Sequence, residues 1–173
     1  MKKYISILVI IAATLFSCSK EMSLQKYFVT KSAEEGFMSV NVPSSMLQLK
    51  EGQDNEENME ALKSFRRLNV LIYKKDENTT VNQEKEVATI ERILSAGDFK
   101  ELMSMNYKGH SGVLSYTGDD NQIKEVIGFG EGEEGFILLR LTGDKMTVKQ
   151  LAKLASAIDF DKSNLEDLKN LDL

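Results

Sequence analysis

The sequence has 173 residues, 42% hydrophobic and 28% charged, a composition typical of one globular domain and not of a disordered protein. An excess of 27 acidic over 22 basic residues gives a net charge of −5, which disfavours binding to nucleic acid. A single cysteine and a single histidine exclude an internal disulfide and a multi-histidine metal site.

The chain opens with a predicted export signal. Lys2 and Lys3 precede an uncharged apolar run over residues 4–16, and its 13 residues are fewer than the roughly 20 of a membrane-spanning helix. This pattern predicts a secretory signal peptide over residues 1–17. Its removal leaves 20 basic against 27 acidic residues, a net charge of −7, so we expect no general attraction to an anionic lipid surface.

The segment LFSC at positions 15–18 resembles the lipobox of bacterial lipoproteins, although Phe16 is bulkier than usual at its position. The resemblance implies that Cys18 becomes the first residue, with a diacylglycerol on its sulfur and an acyl chain on its amino group. Because each buried methylene contributes about 0.8 kcal/mol, several chains anchor a protein firmly. Ser19 in place of an aspartate favours the outer membrane, where we expect the periplasmic side, with surface exposure as the alternative. A free Cys18 thiol behind an ordinary signal peptide is the competing interpretation.

Periodic segments follow in the first half of the mature chain. In SLQKYF, apolar residues at helical spacing follow Ser23 as a cap and predict a short helix. The alternating segment FMSVNVP predicts a strand that ends at Pro43. The segment EENMEALKSF predicts a second helix, which leads into a buried strand over residues 68–73. A third helix is predicted in VNQEKEVATIERILSA and ends near Gly97.

The second half predicts an antiparallel meander, with strands over residues 113–117, 123–129 and 136–141 joined by polar, glycine-bearing turns. The preceding segment DFKELMSMNY fits either a helical turn or a strand. Thr147 and Gln150 then fit a capping box for a final helix. The predicted apolar face of that helix consists of Val148, Leu151, Ala152, Ala155 and Ile158.

These elements predict an α+β fold, with an antiparallel sheet of about five to six strands, a C-terminal three-strand meander and helices packed on one face. Residues 18–26 are polar and are predicted to be the lipidated N-terminus and a short tether. No linker or internal repeat divides the remainder, so residues 27–173 are predicted to be a single α+β domain.

The motif GFGEGEEGF contains the spacing G-x-G-x-x-G at Gly130, Gly132 and Gly135, which in other proteins cradles a pyrophosphate. That role needs a helix after the glycines, whereas the following FILLRL predicts a strand. The glutamates of the motif would also repel a phosphate. The motif therefore predicts a hairpin loop, and no cofactor is expected.

Other polar motifs give no catalytic or metal-binding residue. His110 and Ser111 in KGHSG lack the G-x-S-x-G spacing of a nucleophile elbow and predict a turn. The segments TGDDNQ and DFDKSN collect oxygen ligands, but the second has Asn164 and Asn170 where a calcium loop needs Gly and Glu. A turn and a helix cap are the preferred interpretation of these two segments.

Methionines and arginines are also predicted to have structural roles. Met38, Met59 and Met103 lie on apolar patterns and are predicted to pack in the core. Arg66 and Arg67, with the lysines that follow the strand, form a basic cluster. A solvated sheet edge is favoured over an anion site as the explanation of this cluster.

The order of the segments SLQKYF, FMSVNVPSSMLQL, LNVLIYKK, FKELMSM and GFILLRLTGDKMTVKQLAKLA resembles a family of small Gram-negative lipoproteins catalogued as a domain of unknown function. The resemblance covers most of the mature chain and implies no enzymatic activity. Members resemble proteins encoded near extracytoplasmic sigma and anti-sigma factors, which implies envelope sensing or maintenance. Among functional residues, the resemblance carries over Cys18 alone, through the lipobox.

We therefore predict a non-enzymatic lipoprotein of the cell envelope, held at the membrane by lipid on Cys18 and acting through an unidentified envelope protein partner. No nucleic acid partner is expected. The alternative is a ligand-binding or hydrolytic domain built from scattered carboxylates, since two carboxylates brought together by the fold suffice for sugar chemistry. A deep pocket with two close, buried acids would favour the alternative.

Overall fold

The computed structural model describes residues 22–76 and 80–157, so Cys18 and the predicted signal peptide lie outside the described residues. These ranges contain six strands, namely β1 Phe37–Pro43, β2 Phe65–Lys74, β3 Lys100–Tyr107, β4 His110–Asp119, β5 Gln122–Gly132 and β6 Gly135–Met146. They also contain four α-helices, namely α1 Leu24–Lys31, α2 Glu56–Ser64, α3 Gln83–Ala96 and α4 Val148–Ala157, and a short 3₁₀ helix, Ser44–Met46. No helix of the described ranges is both long and apolar enough to cross a bilayer.

The strands form one antiparallel sheet in the order β1-β2-β6-β5-β4-β3. This arrangement confirms the predicted α+β class. The ambiguous segment DFKELMSMNY contains β3, so the C-terminal meander has four strands and not the predicted three. The chain enters the sheet at the β1 edge and continues to β2. Helix α3 then connects β2 to β3 at the opposite edge, and the chain returns strand by strand to the centre, where β6 pairs with β2.

Local capping signals operate as the sequence predicts. The Ser23 hydroxyl accepts a hydrogen bond from the backbone N–H of Lys26 at 3.3 Å at the start of α1. At α4, Thr147 Oγ1 accepts from the N–H of Gln150 at 3.2 Å, and Gln150 Oε1 accepts from the N–H of Thr147 at 2.9 Å. This reciprocal pair is the predicted capping box.

The front face of the sheet is the face covered by α1 and α3. Side chains from both helices pack on an aromatic and aliphatic cluster, in which Phe136 lies between the rings of Tyr73, Phe37 and Phe129 at centroid distances of 5.3–6.0 Å. Each fully buried large side chain stabilises the fold by about 1.5–3 kcal/mol. The buried members of this cluster are Leu24, Tyr27, Phe28, Leu71, Tyr73, Ile90, Ile93, Ile127, Phe129, Phe136 and Leu138.

The back face of the sheet carries α2 and α4, whose buried residues Ala61 and Leu154 pack against Val42 and Phe65. The prediction of helices on one face is therefore wrong in this respect. The physical reason is that β1, β2 and β6 carry apolar residues on both sides, which the period-2 pattern allows and which requires a layer on each side.

The structure also changes the predicted end of the tether and the predicted apolar face of α4. Leu24 is 5% exposed within α1, so packed structure begins before the predicted tether ends at residue 26. In α4, Leu154 and Ala157 are buried whereas Val148 is 40% exposed, so the helix is turned away from its predicted apolar face. Ile158 of that predicted face lies outside the described residues.

Candidate functional site

The glycine motif forms a hairpin, as predicted. Gly130 and Gly132 lie in β5 and Gly135 opens β6, with a two-residue turn of glutamates between Gly132 and its partner Gly135. Gly135 has φ of +150°, and a Cβ there would overlap the carbonyl oxygen of Tyr73 on β2. The glycine therefore permits close approach of two strands, and no helix follows it to bind a phosphate.

The turn predicted in KGHSG is formed by Lys108 and Gly109, whereas His110 and Ser111 begin β4 and do not form a nucleophile–base pair. His110 opposes Tyr107 where β3 turns into β4, and its ring lies against Gly132. Ser111, on the opposite face of the strand, donates a hydrogen bond to Glu131 Oε1 at 2.9 Å. TGDDNQ is the β4–β5 turn, and DFDKSN lies outside the described residues.

Two enclosed glutamates are each paired with a cation. Glu86, with 13% of its side chain exposed, accepts hydrogen bonds at 2.8 Å from both Lys31 Nζ and the Tyr27 hydroxyl. Glu125, 19% exposed, pairs with Nε of Arg140. Within the described residues no group of three or more His, Cys, Asp or Glu side chains is placed to hold a metal ion.

The environment of Glu86 shifts the pKa values of its partners. Burial raises the pKa of the Tyr27 hydroxyl, and the hydrogen bond to Glu86 raises it further. Burial alone would lower the pKa of Lys31, but hydrogen bonds to Glu34 and Glu86 outweigh burial, so the pKa is raised. Both shifts keep these groups in the protonation states that hold α1 to α3, which is a structural role.

The edge strand β3 is exposed along its whole length. Met103, Met105 and Tyr107 are 60%, 61% and 62% exposed and lie on one face, since they are successive alternate residues. No residue of β3 belongs to the core clusters of the described ranges. Together with the outward-facing backbone of β3, these side chains form an apolar surface that we call the β3 edge.

The prediction that Met38, Met59 and Met103 pack in the core is wrong. These residues are 37%, 40% and 60% exposed, whereas Met146 is fully buried. The alternating pattern around Met38 and Met103 correctly indicates strands, but both strands lie at edges of the sheet, where one or both faces meet solvent.

A second surface is a cavity of about 400 Å³ on the front face beside α1, which we call the arginine cavity. Asn41, Asn69 and Arg140 form one rung across β1, β2 and β6, and Arg67 opposes Thr142 on the next rung. Arg67 and Arg140 are thus diagonal neighbours, and the backbones of such residues are about 7–8 Å apart in ordinary sheets. At this separation two long side chains can contact the same ligand. The complete lining is Gln25, Phe28, Val29, Ser32, Ser39, Asn41, Arg66, Arg67, Asn69, Arg140 and Thr142.

The structure revises the interpretation of the basic cluster. β2 lies between β1 and β6, so Arg66 and Arg67 do not lie at a sheet edge, and the lysines of the cluster lie at the other end of the strand. The third arginine comes from β6, and its neighbour Thr142 is 75 residues from Arg67 in the chain. No local pattern in the sequence predicts a contact between residues so far apart in the chain.

Residues 28–154 match the family described as Domain of unknown function (DUF4252), a range that includes all six described strands and ends in α4. No curated protein matches the chain, and no solved structure does.

Proposed function

The chain belongs to the DUF4252 family of domains of unknown function, and we propose that it is a non-enzymatic lipoprotein of the bacterial cell envelope that acts through protein contacts. In this proposal, lipid on Cys18 holds the domain at the periplasmic side of the outer membrane. The β3 edge is the surface that receives an envelope protein, in envelope maintenance or stress signalling.

The observation that supports this proposal is the exposure of the β3 edge. Native proteins commonly protect an edge strand with charge, proline or a short length, because its unpaired backbone groups attract other strands. β3 has eight residues, and from Leu102 to Tyr107 none of them is charged. An extended peptide can pair with such an edge through main-chain hydrogen bonds, while Met103, Met105 and Tyr107 supply apolar contacts.

A matched pair of methionine variants tests the contact. Met105→Lys places a charge in the β3 edge, whereas Met59→Lys places the same charge on α2, at another exposed methionine. We expect crosslinking of intact envelopes, followed by affinity purification of the full chain, to recover a reproducible partner with wild type and Met59→Lys. Recovery should fall by about tenfold with Met105→Lys, as loss of an interface anchor predicts. Equal recovery from all three proteins, or no reproducible partner, would contradict the contact proposal.

The anchor has its own test. Mass spectrometry of the native protein should show an N-terminal Cys18 with three acyl chains, and Cys18→Ser should release the protein from the membrane fraction. Protease treatment of intact cells should leave the domain uncut if it faces the periplasm. An unmodified Cys18, or a leader still attached, would refute the anchor and leave the β3 contact to be judged separately.

A further inference from the structure

The arginine cavity differs in charge from the chain as a whole. Acidic residues outnumber basic ones by 27 to 22, yet none of the eleven lining residues is Asp or Glu. Three of the four arginines in the sequence line this one cavity. Arginine presents a rigid fork of donors that matches the oxygens of carboxylates and phosphates, which a lysine does not.

The donors of the cavity are only partly used within the protein. Arg67 forms no ion pair with any residue of the described ranges, and its contact with Thr142 goes through its backbone carbonyl. Arg66 is 3.6 Å from Asp144, but both side chains are more than 60% exposed, so water screens this pair. Arg140 bonds Glu125 through Nε, and its two terminal nitrogens form no hydrogen bond with a described residue.

The side-chain amides of Asn41 and Asn69 add uncharged hydrogen-bond donors to the strand side of the arginine cavity. Asn69 donates to the Oδ1 of Asn41, which leaves the amide nitrogen of Asn41 and the second hydrogen of Asn69 for another acceptor. Phe28 and Val29 of α1 form an apolar wall beside these donors. The site therefore combines positive charge and neutral donors with one apolar surface.

We infer that the arginine cavity binds an oxyanion, specifically the phosphate group of a phosphate ester. The guanidinium groups of Arg67 and Arg140 approach the phosphate oxygens from neighbouring strands, and Asn41 donates a further hydrogen bond. The cavity volume of about 400 Å³ falls in the range of small-molecule sites, so the organic part of the ester fits against Val29. This site is separate from the β3 edge and does not depend on it.

The phosphate can come from a lipid head group or from a soluble ester. Gln25 lines the cavity at the start of α1, and Leu24, which begins that helix, lies six positions after Cys18. Six extended residues span at most about 20 Å. If Cys18 carries lipid, as the proposed function holds, the cavity stays within about that distance of the lipid head groups.

Titration calorimetry on the full chain in an uncharged detergent tests the inference. Inorganic phosphate and dihexanoyl phosphatidic acid serve as separate probes, each against sodium chloride at matched ionic strength. Arg67→Gln removes one guanidinium from the site, and Arg92→Gln removes the fourth arginine, which is exposed on α3. Arg67→Lys keeps the charge and removes the fork. Because Arg67 is exposed, the thermal midpoint of its variants should equal that of wild type.

We expect wild type and Arg92→Gln to bind a probe equally, and Arg67→Gln to bind it about tenfold more weakly or worse. Arg67→Lys should lie between them. Tighter binding of phosphatidic acid than of inorganic phosphate would identify a lipid head group, whereas equal binding would show that the phosphate group alone is recognised; both outcomes support the oxyanion site. No binding of either probe by wild type, or equal losses in Arg67→Gln and Arg92→Gln, would overturn it. A bare Cys18 would refute the anchor while leaving these affinities unchanged.

Discussion

Replacing Tyr27 by phenylalanine removes one oxygen atom from the front-face core and should change how stability depends on alkaline pH. The side chain is 0% exposed, and its hydroxyl donates to Glu86 Oε2 at 2.8 Å. Burial, reinforced by the Glu86 carboxylate, raises the pKa of Tyr27 well above its ordinary value of 10.0. The folded protein therefore keeps the phenol protonated at pH values where the unfolded chain has lost the proton.

The sign and size of the effect follow from this difference. A pKa that is raised in the folded state contributes stability that is fully present below pH 10 and is lost as the pH rises further. Each pH unit above 10 costs about 1.4 kcal/mol, so wild type should lose about 2.7 kcal/mol between pH 8 and pH 12 through Tyr27. The raised pKa of Lys31 acts with the same sign, but in both proteins, so it cancels from their difference.

Urea unfolding followed by circular dichroism between pH 8 and pH 12 measures this difference. At pH 8 Tyr27→Phe should be less stable than wild type by about 1.5–3 kcal/mol, because it lacks a hydrogen bond to a carboxylate. Near pH 12 the two stabilities should converge. Tyr107→Phe removes a phenol that is 62% exposed and should follow wild type throughout. A constant gap between Tyr27→Phe and wild type across the range would refute the reasoning.

Two further predictions concern an ion pair and a glycine. Hydrogen bonds from two α4 lysines lower the pKa of Glu57 from 4.5 to about 2, so their stabilising effect is present above pH 4.5 and is lost as the pH falls towards 2. Glu57→Gln should lower the thermal midpoint relative to wild type at pH 7 in low salt. If the midpoint of the variant stays below that of wild type at pH 2 or in about 1 M NaCl, this account is contradicted. Gly135→Ala should lose about 2–4 kcal/mol in urea unfolding, because its Cβ would overlap the Tyr73 carbonyl. Gly52→Ala, at φ +76° with open space around it, should lose about 1 kcal/mol, and equal losses would show that the overlap is relieved.

The helices and the last three strands could be predicted because their signals are local. Ser23 and Thr147 cap helices through residues three positions away, and the glycine motif turns between adjacent strands. The arginine cavity could not be predicted, because it depends on the pairing of β2 with β6, whose register brings Asn69 opposite Arg140. The exposure of Met103 was missed for a related reason, since alternation indicates a strand but does not say whether it lies at an edge.

The arginine cavity exists because the front face changes character at one level in neighbouring strands. Under α1 and α3 the inward side chains are apolar, and one or two rungs further they become polar in β1, β2 and β6 together. Because neighbouring strands are antiparallel, the change from apolar to polar residues goes forward along the sequence of one strand and backward along the sequence of the next. The sequence therefore shows no repeated pattern that marks the cavity. The apolar rungs supply the burial that stabilises the fold. Arg67, exposed and without an ion pair among the described residues, contributes little to stability. Ligand binding and folding are therefore separable here, so a variant of Arg67 reports on the cavity alone.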